Sequence, residues 1–116
     1  VLVAWIITSL ATTLGLWFLN PSIQWYLGAS GALHGMLIAV ALPQAFRGDF
    51  TAMAISLLLA TKLAWEQLMG PLPGSEGSVG TRVIVDAHFY GALGGVLAIL
   101  LNTMTGKIHQ TDPRED

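Results

Sequence analysis

The chain has 116 residues, enough for one compact domain. Only 10% of them are charged and 53% are hydrophobic, with a mean hydropathy of +0.64; soluble domains carry about 25% charged residues, so the composition points to a membrane protein. The net charge is −2 with no basic cluster, which argues against a nucleic-acid partner, and the absence of cysteine excludes a disulfide framework and a Cys-based zinc site.

Four apolar runs follow one another, and all four are predicted to be membrane helices. Val1–Leu19 is stopped by Asn20-Pro21, and it lacks the basic start and small-residue cleavage site of a signal peptide. Because the chain opens on Val1 inside an apolar run, it is expected to be the C-terminal portion of a longer protein. The second run, Gly31–Phe46, reaches about 24 Å, short of a hydrocarbon core of about 30 Å. One of its ends should therefore lie below the membrane surface. The preceding Pro21–Leu27 is apolar and aromatic but broken by proline, which suits a loop dipping into the bilayer beside a wet cavity. Thr51–Met69 and Val83–Leu101 are each about 19 residues long. Gly70–Thr81, with two prolines and four glycines, reads as a loop. Residues 1–104 are thus expected to form an all-α membrane domain and 105–116 a polar tail. Arg47, Lys107 and Arg114 fall on one side and Arg82 on the other, so the positive-inside rule places the starts of the second and fourth helices on the extracytoplasmic side.

The chemistry gathers at those two helix starts. Gly28-Ala29-Ser30-Gly31 sets a serine between glycines where the second helix begins. A helix amino end carries N–H groups and a partial positive charge, which would stabilise an oxyanion formed when Ser30 attacks a carbonyl. The competing reading of Ser30 is a helix N-cap. A serine needs a base, and His88, about five residues into the last helix, stands at the matching depth. Gly31 and Gly35 are four apart, as are Gly91 and Gly95. Such small-residue faces let helices approach closely, a structural role that would also bring Ser30 and His88 to one seam. His34, four residues after Ser30, is a rival base but is expected instead to pack against His88 and orient its ring. His109 reads as a solvated tail residue, and the spread of the three histidines argues against a metal. Lys62 and Glu66, i and i+4 in the third helix, read either as a structural ion pair or as a polar contact for substrate. Asp86 reads as a first-turn acid favourable with the helix dipole, not as a third catalytic member.

Gly28-x-Ser30-Gly31 on one helix and Ala87-His88-x-x-Gly91-x-x-x-Gly95 on a later one resemble the rhomboid family of intramembrane serine proteases, over about Val1 to Leu101. The resemblance implies a six-helix core of which this chain holds the last four helices, with Ser30 as nucleophile, His88 as general base, no aspartate and no cofactor. Gly28, Ala29, Gly31 and His34 would support the site. His34, Lys62-x-x-x-Glu66-Gln67 and Asp86-Ala87-His88-x-Tyr90-Gly91 are similar to the bacterial rhombosortase branch. That branch implies an inner-membrane enzyme, open to the periplasm, that cleaves membrane-anchored proteins bearing C-terminal Gly-Gly sorting tails. Rhomboids complete the oxyanion hole with a His and an Asn on an earlier helix, which this sequence does not contain. Two readings of other classes stand beside this one. One is a catalytically inactive rhomboid-like binder of membrane clients. The other is a transporter half with a broken helix at Asn20–Ser30, which no internal repeat supports.

Overall fold

The computed structural model describes residues 1–22, 29–74 and 84–109. These form four helices: α1 (Leu2–Leu19), α2 (Ser30–Phe46), α3 (Phe50–Met69) and α4 (Val85–His109). Among the described residues the fold is all-α. The loop predicted over Pro21–Leu27 falls mostly outside the described residues, as do Gly28 and Arg82. The fourth helix differs from its predicted span. It begins at Val85 and runs to His109 instead of ending at Leu101. Nothing breaks it there: the next proline is Pro113, and the Thr103 and Thr105 hydroxyls donate back to the carbonyls of Ile99 and Leu101.

Among the described residues, two helices are long and apolar enough to cross a membrane, α1 and the Val85–Gly106 part of α4. α2 is apolar but has 17 residues, and α3 has 20 with Lys62 and Glu66 among them. The distribution of side-chain size is inverted relative to a water-soluble bundle. The buried positions are mostly small: Ala32, Ala41, Ala52, Ala87, Ala92 and Ala98, with Thr8 and Thr12. The outward positions are large and apolar, including Trp17, Phe18, Leu57, Leu58 and Leu93.

Small residues are inside because the helix axes are close. A Cβ added at Gly91 would collide with the carbonyl of Gly31, and one at Gly35 or Gly95 would strike the backbone across the same α2–α4 seam. Backbone contact at this range is how helices associate without a hydrophobic drive between them. α1 closes the seam from one side with two threonines. The hydroxyls of Thr8 and Thr12 donate to the carbonyls of Trp5 and Thr8, one turn back in their own helix. Each threonine is thereby satisfied within α1 and turns its methyl toward a glycine, Thr12 to Gly31 and Thr8 to Gly35.

α3 leans on α2 from the opposite side. Its buried residues, Ala52, Leu59 and Glu66, are each one heptad apart and form one inward stripe. Leu59 meets Ile38 and Ala92, with Leu42, Leu63 and Ile99 around them. The α2–α3 turn is built from three residues. Gly48 takes a φ of +90° that side chains resist, Arg47 and Gly48 close the last turn of α2, and the Asp49 carboxylate accepts from Ala52 N–H at 2.8 Å as the cap of α3. This tight turn makes α2 and α3 antiparallel neighbours. The start of α2, the end of α3, the start of α4 and the end of α1 therefore meet at one end of the bundle.

Candidate active site

The first helical residue of α2 is Ser30, and the N-cap is Ala29, which makes no side-chain cap bond. Ser30 is therefore the first residue of the helix and not its N-cap. Its Oγ lies 3.2 Å from Nε2 of His88 in α4. Gly31 and Gly91 make that distance possible, since any side chain at either would push the two helices apart. His88 begins the fourth residue of α4, one residue after the fully buried Ala87 and three before Gly91, so it shares the inward face of the helix. It is shallower than the five-residue depth predicted from Val83, because the helix starts later. Only 6% of its surface remains exposed.

His34 occupies the next turn of α2. Its Nδ1 lies 2.7 Å from the Ser30 backbone carbonyl, and a carbonyl only accepts, so this nitrogen carries the proton. That tie engages Nδ1 with the Ser30 backbone carbonyl and not with its hydroxyl. The ring stacks on His88 instead, with centroids 4.2 Å apart and planes 18° from parallel. His88 is thereby held on one face by a second imidazole whose own orientation is set by the Ser30 backbone.

On its far edge His88 meets α3. Nδ1 lies 2.8 Å from one carboxylate oxygen of Glu66, and the other oxygen lies 2.6 Å from the Lys62 ammonium. Lys62 Nζ is also 3.3 Å from Nδ1. These distances decide the tautomer. A carboxylate oxygen only accepts, so two acceptors would face each other at 2.8 Å unless Nδ1 carries hydrogen. The ammonium also only donates, so lysine and imidazole share the carboxylate rather than bonding to each other. In the neutral ring, a proton on Nδ1 leaves the Nε2 lone pair facing the Ser30 hydroxyl. Lys62 and Glu66 do form an ion pair, but Glu66 also enters the site, which its i,i+4 partner alone did not indicate. Its position, seven residues after Leu59 on the stripe begun by Ala52, is the available sequence signal for an inward carboxylate.

Asp86 stands in the first turn of α4 and faces α1, away from the Ser30–His88 pair. Asn20, the C-cap of α1, donates from Nδ2 to Asp86 at 2.9 Å and accepts from the Tyr90 hydroxyl at 2.5 Å. The Tyr90 ring lies over Gly15. The sequence marks Asn20 as a helix stop and Tyr90 as part of a motif, but not their contact; together with Asp86 they pin α1 to α4 beside the site. Among the described residues no three His, Cys, Asp or Glu side chains are grouped as metal ligands would be.

No family model, no curated protein and no solved structure matches this chain.

Proposed function

We propose that the chain is an integral membrane serine endopeptidase of the rhomboid type, and that it cleaves membrane-anchored proteins near the extracytoplasmic face of a bacterial inner membrane. The observation that carries this reading is the 3.2 Å contact between Ser30 Oγ and His88 Nε2 at the amino end of α2. The small-inside, large-outside distribution of side chains and the two membrane-length helices support a bilayer setting. The four-helix array is then part of a rhomboid-like core. The rhombosortase resemblance favours C-terminal Gly-Gly sorting tails as the substrate class, with Lys62 and Glu66 close to the point of entry.

The steps follow from the geometry. Ser30 Oγ bonds to the scissile carbonyl carbon as its proton passes to His88 Nε2, and the carbonyl electron pair moves onto oxygen. That oxyanion forms near the amino end of α2, where the helix dipole favours negative charge. On collapse the C–N bond breaks and the amine leaves with the proton from Nε2. Water then attacks the acyl-serine, Nε2 takes its proton, and Ser30 leaves reprotonated with release of the acid.

A fluorophosphonate probe tests the reading on the full chain in lipid vesicles. Ser30 attacks phosphorus, fluoride leaves, and the protein becomes covalently labelled. Ser30→Ala should remove labelling and cleavage of an anchored client while the protein still accumulates in the membrane. Labelling of Ser30→Ala as strong as wild type would refute it.

A further inference from the structure

We infer that His88 is served by a third residue: Glu66 is a positioning residue whose carboxylate fixes the reactive tautomer of His88, and Lys62 fixes Glu66. This rests on the reading of Ser30 and His88 as nucleophile and base, and it extends a two-residue site to a relay drawn from three helices, α2, α4 and α3. Four observations carry it. Glu66 Oε2 is 2.8 Å from Nδ1 of His88, on the ring edge opposite the serine. The carboxylate is 3% exposed, so water does not replace it as acceptor. Its second oxygen is held by Lys62 at 2.6 Å, so the side chain has one orientation. The stack of His34 on His88 fixes the plane of the ring.

The relay moves one proton. When Ser30 attacks, its proton goes to Nε2 and the ring becomes an imidazolium, while the Nδ1 proton stays on Nδ1 and the carboxylate remains ionised beside it. Glu66 therefore acts through His88 and touches neither substrate nor reacting atoms. It keeps the Nε2 lone pair aimed at Ser30 before attack and faces the positive ring after it.

Glu66→Gln inverts this arrangement without changing shape. Lys62 holds the amide oxygen, so the amide NH₂ turns toward Nδ1 and favours the tautomer with the proton on Nε2. The rate of Ser30 labelling should then fall on the order of 10³-fold. A purely structural ion pair makes a different prediction, and a double variant separates the two. Lys62→Met with Glu66→Leu removes both charges together and keeps similar volume, which restores stability when the pair is only structural. It leaves Nδ1 with no acceptor, so the relay predicts that labelling stays slow in a folded protein. Wild-type labelling by the double variant, or by Glu66→Gln, would overturn the inference. The ¹⁵N spectrum of the histidine rings, with His88 assigned from a His88→Ala sample, gives a readout independent of catalysis. Wild type should show Nδ1 protonated and Nε2 bare at His88, and Glu66→Gln should lose that pattern. An unchanged pattern counts against Glu66. Failure of the wild type to label with the expected His88 pattern intact would instead count against Ser30 as a nucleophile.

Discussion

At the scale of single residues, a serine hydroxyl becomes reactive when a ring nitrogen with an exposed lone pair stands in line with it, and everything around His88 sets that lone pair. Glu66 acts on the tautomer and His34 on the plane of the ring. The two contributions are separable. Stacked rings contribute about 0.5–1.5 kcal/mol beyond their buried area, and about 1.4 kcal/mol is a tenfold change in rate. His34→Ala should therefore slow fluorophosphonate labelling of Ser30 by about 3- to 10-fold, well short of the loss from removing Ser30 itself. His34→Phe keeps a flat ring over His88 but lacks the Nδ1 bond to the Ser30 carbonyl. Its rate should fall between those of His34→Ala and the wild type. A rate for His34→Ala as low as that of Ser30→Ala would mean that His34 handles the proton directly.

Among the helices, the α2–α4 seam carries the site. Gly31, Gly35, Gly91 and Gly95 bring two backbones into contact, and the Ser30–His88 distance is a by-product of that closeness. Gly91→Ala forces its new methyl into the Gly31 carbonyl, an overpacking cost of about 1–3 kcal/mol or more that also spreads Ser30 from His88. Thermal unfolding in detergent should shift down and Ser30 labelling should be lost. Gly106, also in α4, has open space around it. Gly106→Ala should leave labelling unchanged and raise stability by about 0.5–1 kcal/mol, the ordinary gain of alanine over glycine in a helix. Equal effects from the two substitutions would mean that the seam is looser than its geometry.

The paired glycine spacing is legible in the sequence because four residues return to the same face of a helix, and the serine and histidine are legible by their offsets from it. Glu66 was legible as the partner of Lys62, but not as the partner of His88. Spacing along α3 says nothing about how far that helix is rotated relative to α4, and the packing of Leu59 against Ile38 and Ala92 sets that rotation. The Asn20–Asp86–Tyr90 cluster was hidden for the same reason: its members come from the end of α1 and the start of α4. The end of α4 lies beyond Leu101 because polar composition alone does not break a helix: no proline or glycine turn follows there, and the Thr103 and Thr105 hydroxyls are satisfied on their own backbone.

For the molecule as a whole, the helices differ in reach. At about 1.5 Å per residue, the 17 residues of α2 extend about 25 Å and the 25 residues of α4 about 37 Å. Helices of unequal reach cannot all match one slab of hydrocarbon about 30 Å thick, and each ångström of disagreement costs a fraction of a kcal/mol. In the proposed membrane setting the strain collects at α2, whose amino end bears the proposed nucleophile, Ser30. Lipid composition then becomes a control on the chemistry: long acyl chains bury the mouth of the site under more oil and starve it of the water that the second half of the reaction consumes. Turnover of an anchored client should decline steadily as vesicle lipids lengthen, with less effect on the single-turnover labelling of Ser30, and a host membrane a few ångströms thinner than average would be the natural setting for such an enzyme.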